Sequence, residues 1–222
     1  MLNFTTQSPP SRIKPDDRST NAHRQLIGYI GLLLPFLLIA PAMCRDGLEK
    51  WRNLDSVSAY YYTGAAAVFV GMLVSLALFL LTYRGFMNAQ GKLDRRAAIF
   101  AGVMLLAVAF WPTHVPRLYA DLTWWRGYML YIHQGAACLV FLTFAYFALW
   151  LFPLDADGKR HFRKSRDKVY LASGLVIVLA IVWALVNGLL LNTEIFWPEM
   201  AALIAFSVSW LAKGRAESGF LK

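Results

Sequence analysis

The sequence predicts an all-α, polytopic membrane protein built as a bundle of six transmembrane helices. Three observations carry that expectation. The chain of 222 residues is 58% hydrophobic and only 16% charged, where an ordinary soluble domain is about 45–50% apolar and about 25% charged. Its mean hydropathy is +0.47, and the apolar residues gather in runs close to the ~20 that a helix needs to cross ~30 Å of hydrocarbon. Its Lys and Arg fall mostly in every second connection. Soluble globular and disordered classes are excluded by the first two observations.

The first span runs from Leu26 to Met43, with Pro35 at its middle predicting a kink, because proline removes one backbone donor. Ala40-Pro41-Ala42 loosely matches a signal-peptide cleavage site. The run nevertheless approaches transmembrane length and the basic tail before it is long for a signal peptide, so it is read as a retained span. The second span covers Tyr60 to Leu81. Gly64, Gly71 and Ser75 there, like Gly28 and Gly31 in the first span, predict faces on which helices approach closely. The third, Ala97 to Trp111, is short and stops at Pro112; the fourth runs from Met129 to Phe152, the fifth from Val169 to Leu191, and the sixth from Phe196 to Leu211. Residues 26–213 thus form one membrane domain, flanked by tails 1–25, expected to be disordered, and 214–222.

Charge assigns the sides. Of the 22 Lys and Arg, 17 lie in the N-terminal tail, the second-to-third and fourth-to-fifth connections and the C-terminal tail, and 5 (Arg45, Lys50, Arg52, Arg117, Arg126) lie on the opposite side. That asymmetry puts both ends of this chain on the cytoplasmic side. The basic connection Lys159–Lys168 is expected to lie on anionic lipid, where each Lys or Arg gains about 1 kcal/mol. The net charge of +9 is therefore a topological label, and nucleic acid is not an expected partner.

Polar and aromatic side chains concentrate at the outward ends. Tyr60–Tyr62, Trp124, Trp125, Tyr128, Tyr131, Trp183 and Trp197 read as an aromatic interfacial belt. His133, Gln134, Asn187 and Glu199 lie a turn or more inside their spans, where facing lipid costs several kcal/mol per unpaired group, so they are expected to face the bundle interior. His133, Ala136, Ala137 and Val140 share one helix face. Together with Tyr62, these residues define a candidate outward cavity, and interhelical hydrogen-bonding glue is the competing account of them.

Reaction chemistry is not written in local spacing. The four histidines, His23, His114, His133 and His161, include no i, i+4 pair and no metal-protease motif, so neither a metal, a haem nor another cofactor is expected. No phosphate-binding loop or nucleophile elbow occurs. Ser56 and Ser58 lack a histidine at a diagnostic spacing and read as a helix cap and hydroxyl packing. Cys44 and Cys138 form no paired framework, and Cys138 reads as a small buried hydrophobe.

The stretches Ser56–Gly64 (SVSAYYYTG) with Val68–Gly71 (VFVG), Ala109–Thr113 (AFWPT), Ile132-His133 with Phe144–Phe147, and Ile195–Glu199 (IFWPE) with Ser209–Gly214 resemble an uncharacterised family of bacterial multipass membrane proteins. The resemblance covers spans two to six. It implies a six-helix protein of the bacterial inner membrane and supplies no activity. Members often carry an acidic residue just before the VFVG run, where this chain has Ala66-Ala67. A more distant likeness is to membrane hydrolases that hold zinc with three histidines. Ser56 or Ser58 and Asp55 match that pattern, and the three histidines do not.

The expected function is that of a non-enzymatic membrane protein binding a lipid or small amphipathic ligand at its outer side. A lipid hydrolase and a transporter or accessory subunit are the alternatives. Homo-oligomerisation is left open.

Overall fold

The computed structural model describes residues 15–47, 54–85, 89–115, 124–154 and 165–217. Residues 159–164 of the basic connection, residues 1–14 and 218–222 of the two tails, Lys50, Arg52, Arg117 and Asp121 lie outside them. The described residues are helical without β-strands: α1 (Pro15–Asp46), a short 3-10 helix (Val57–Tyr62) here called the roof helix, α2 (Ala66–Thr82), α3 (Ala89–Phe110), α4 (Gly127–Tyr146), α5 (Ser165–Leu185) and α6 (Phe196–Glu217). π turns extend α4 through Phe147–Leu151 and α5 through Val186–Leu191. Three helical stretches are long and apolar enough to cross a membrane, Thr20–Asp46, Gly127–Leu151 and Ser165–Leu191, and Ala66–Thr82 is a shorter apolar helix.

Consecutive helices pack as neighbours, α1 on α2, α2 on α3, α3 on α4, α4 on α5 and α5 on α6, and α6 closes the ring against α1. Hydrogen bonds define two ends. At one, Arg24 Nε donates to Tyr83 Oη (2.9 Å), Gln25 to the Gly214 carbonyl (3.3 Å) and Lys213 Nζ to the Phe152 carbonyl (3.0 Å). At the other, the Ile195 amide donates to the Asp55 carbonyl (2.7 Å) and the Gly64 amide to Asp46 Oδ2 (2.5 Å). Each helix therefore runs from one end to the other, as an up-and-down bundle requires.

Two boundaries differ from the hydropathy reading. Helix α1 starts at Pro15, well before Leu26, and continues through Pro35 and Pro41. Tyr60–Tyr62 do not begin the second membrane helix. Ser56 Oγ accepts the Ala59 amide (3.1 Å) and caps a 3-10 turn, as its cap role predicts. Thr63 then ends that turn and starts the next, its Oγ1 donating to the Tyr60 carbonyl (2.8 Å) and accepting the Ala65 amide (3.0 Å). Tyr60 is consequently core rather than belt, at 1% exposure.

The α1–α6 seam depends on glycine. A Cβ at Gly31 would meet Ser207 Oγ at 2.6 Å, and one at Gly28 would meet Leu211 Cγ at 2.7 Å. At Gly71, expected on a packing face, an added Cβ would meet nothing within 4 Å. Gly31→Val is therefore expected to force α1 and α6 apart and cost about 1–3 kcal/mol, read as a lowered midpoint of denaturation in mixed micelles, while Gly71→Val leaves the midpoint unchanged.

Helix α5 is the outlier of the ring. Leu175, Leu179, Val182 and Trp183 on it are all exposed, as are Leu189, Leu190 and Leu191 in its π turn. In water such a surface would be a gross aggregation liability; against acyl chains it is an ordinary one.

Candidate functional site

The polar residues at the Asp55 end converge on the roof helix. Short apolar residues turn its Val57 and Ala59 into the core, and Ser58 faces helix α4. His133 lies in the second turn of α4 and is 3% exposed. Its Nε2 is 2.8 Å from Ser58 Oγ and its Nδ1 is 2.7 Å from the Trp111 carbonyl at the end of α3. A carbonyl accepts only, so Nδ1 carries the proton, and Nε2 is left as the acceptor of the Ser58 hydroxyl hydrogen. The seam expected of His133, Ala136, Ala137 and Val140 is the inward one: three of the four are buried and Ala137 lines the cavity described below.

Glu199 approaches the same helix from α6. Its Oε2 accepts the Val57 amide at 2.6 Å, and its carboxylate also faces the Ser58 amide. These are the first amides of the roof helix, which no backbone carbonyl satisfies, so the carboxylate caps them. Tyr62 Oη donates to the Thr113 carbonyl (2.5 Å), and Trp125 Nε1 donates to that carbonyl as well (2.9 Å). Tyr62, His133 and Glu199 are thus brought to one segment.

Gln134 and Asn187 are not. Gln134 is exposed, since one residue beyond the inward-facing His133 the helix has turned about 100°. Asn187 sits in the π turn of α5 and donates to the Glu194 carbonyl (2.8 Å), closing the α5–α6 connection rather than facing the interior. That connection turns at Asn192, whose φ of 49° is left-handed and tolerable for asparagine.

Sequence reading missed the link between Asp55 and His114. The two are 59 positions apart and meet at 3.1 Å, tying the roof segment to the end of α3. The hydrogen bond to His114 holds the Asp55 carboxyl below its usual 3.8, and the same bond holds the His114 imidazole above 6.5, in each case against a smaller opposing effect of burial. His114 stabilises the tie while protonated, fully so below about pH 6.5, and loses it as pH rises through its raised value. Asp55 contributes above about pH 3.8 and loses it as pH falls through its lowered value. The tie is strongest between those limits. Both side chains are nearly half exposed, at 46% and 42%, so it is expected to contribute under about 1 kcal/mol. Hydrogen exchange at the Ile195 amide, bonded to the Asp55 carbonyl, is expected to be slowest between about pH 4 and 6.5 after correction for intrinsic rates. His114→Ala flattens that profile.

Beneath the roof lies a cavity of about 50 Å³. Ser58 and Glu199 are its polar lining residues, and the rest of its wall is apolar, including Phe69, Leu73, Leu105, Phe144 and Leu203. Five elements supply that wall: α1, α2, α3, α4 and α6, closed by the roof helix. Among the described residues no group of three or more His, Cys, Asp and Glu is placed to hold a metal. No protein family matches the chain, and no curated protein or solved structure matches it either.

Proposed function

We propose that the chain is a multipass protein of the bacterial inner membrane, crossing it six times with both ends of this chain in the cytoplasm, and that it binds a small amphipathic ligand or lipid chain at its outer side. The single observation behind the binding reading is the cavity. An apolar wall ending at one hydroxyl and one carboxylate suits a molecule with a hydrocarbon body and a small polar head. At about 50 Å³ the space holds the end of a chain rather than a whole lipid. The remainder of such a ligand lies along the exposed apolar surface of the bundle.

The six-span reading is supported by the alternation of helix ends and by the placement of charge. Arg24 and Lys213 are at the end opposite the roof, and the basic connection joins α4 to α5 at that same end. The bilayer and anionic lipid at Lys159–Lys168 are the partners this orientation implies.

Native mass spectrometry of the purified protein tests the binding reading. A lipid or amphipathic adduct is expected on the wild type. Ala137→Leu, which grows a side chain into the cavity, is expected to lose the adduct while keeping the helical circular-dichroism signal. A wild type that carries no adduct, or an Ala137→Leu protein that retains it, contradicts the reading.

A further inference from the structure

We propose that Ser58 and His133 form a nucleophile and general-base pair, and that the cavity beneath the roof helix presents a long-chain carboxylic ester to them. The proposal deepens the binding reading by giving the bound molecule a reaction. It rests on a juxtaposition no local motif announces, because the two residues are 75 positions apart.

Each part of the geometry has a chemical role. Serine is a weak nucleophile until a base takes its proton, and the pairing that does this is a hydroxyl on an unprotonated imidazole nitrogen at about 2.6–3.2 Å. Ser58 Oγ and His133 Nε2 stand at 2.8 Å. The base must be held in one tautomer by a third group; here the Trp111 carbonyl accepts from Nδ1 at 2.7 Å and also stabilises the imidazolium that forms when Nε2 is protonated. The pair is screened from bulk water, Ser58 at 8% and His133 at 3% exposure. Ser58 nevertheless lines the cavity, so a chain lying there reaches it.

Ser56 is the instructive contrast. Its hydroxyl oxygen is bound to the Ala59 amide as a helix cap, with no imidazole beside it. Asp55 and His114 pair with one another at the rim. The Ser56 side chain also bonds the Asp55 carboxylate, so of the two serines only Ser58 has an imidazole as its base.

The reaction balances as ester hydrolysis. Ser58 Oγ bonds to the ester carbonyl carbon while its proton passes to His133 Nε2. The ester C–O bond breaks, and the departing alcohol takes that proton. Water then attacks the acyl-serine, giving its proton to Nε2, and the acyl–Oγ bond breaks as Ser58 recovers the proton. The products are a fatty acid and an alcohol. The negative charge that develops on the carbonyl oxygen needs donors. The Val57 and Ser58 amides are adjacent, and Glu199 holds them at rest, so the substrate carbonyl must displace the carboxylate from them.

The test is labelling of the purified full chain, in detergent or nanodiscs, with a long-chain alkyl fluorophosphonate, followed by peptide mapping. Covalent phosphonylation of Ser58 is expected, abolished in Ser58→Ala and reduced at least tenfold in His133→Gln, with Ser56→Ala labelled like the wild type. Wild-type protein that shows its native circular-dichroism melt yet is not labelled overturns the proposal, as does labelling confined to another residue. Ser58→Thr keeps a hydroxyl and separates lost folding from lost chemistry, since it is expected to fold and to label more slowly. A protein that carries a lipid adduct but resists the probe overturns the nucleophile alone. A protein that labels at Ser58 without carrying an adduct overturns the retention reading alone.

Discussion

Trp210→Ala is expected to destabilise the bundle by about 3–5 kcal/mol, the largest loss from any single truncation considered. Trp210 is fully buried on α6 and meets rings from the residue that ends α2 and from the end of α4: Tyr83 at 5.2 Å, Phe147 at 5.2 Å and Phe152 at 5.1 Å between centroids, two of the three edge to face. The site cannot collapse easily, because it is the hub of an aromatic layer that also buries two cations. Lys213 Nζ lies 5.8 Å from the Phe152 ring centre and 6.0 Å from that of Tyr170, and the Arg24 guanidinium lies 5.6 Å from that of Tyr83. Truncation therefore leaves a cavity beside buried charge, adding to the loss of packing. Reversible denaturation in mixed micelles measures the effect; a loss under about 1 kcal/mol would show that the aromatic layer does not hold this end together.

His133→Ala is expected to cost about 2–4 kcal/mol, concentrated in the roof. It strands the buried Ser58 hydroxyl, whose unpaired state costs about 1–3 kcal/mol, and removes the donor to the part-buried Trp111 carbonyl. Residues of the roof helix remain held by Glu199 and by the Asp55–His114 tie, so the expected result is local opening. Exchange of the roof-helix amides is expected to accelerate by at least about tenfold, the equivalent of about 1.4 kcal/mol, with the amides in the middle of α1 unchanged. Gln134→Ala, one position along and exposed, is expected to stay within about 0.5 kcal/mol. Equal acceleration throughout the chain would instead make His133 a global support.

Legibility in the sequence followed the range of the forces involved. Burial from water is a property of a segment, so the helical class and the cores of the six apolar runs could be read from composition. Ser56 as a cap and the inward face of His133 are i, i+3 and i, i+4 relations, and they too were readable. In the sequence Tyr60–Tyr62 read as the start of a membrane helix because their rings adjoin the second apolar run. What decides otherwise is the pair of hydroxyls at Ser56 and Thr63, which close a shorter turn. The pairs Ser58–His133, Asp55–His114 and Val57–Glu199 join separate helices, and one sequence carries no record of which helices adjoin. Gln134 failed for a simpler reason: its depth matched that of His133 but its direction did not. Arg24 and Lys213 were legible only as positive charge on one side, whereas the fold buries both.

The central claim is that the chain crosses the membrane six times with the roof outside, and cysteine labelling on sealed spheroplasts tests it most directly. In a Cys138→Ala background, Cys44, which is exposed, serves as the first outer site. With Cys44 also replaced by Ala, single cysteines at Asp17, Arg84, Trp124, Ser165, Glu194 and Arg215 mark the other ends, so that all six helices are bracketed. The account predicts that a membrane-impermeant maleimide labels Cys44 and the cysteines at 124 and 194 directly, and those at 17, 84, 165 and 215 only after permeabilisation. Two successive sites labelled from the same side would mean that the helix between them does not cross, and would contradict the account.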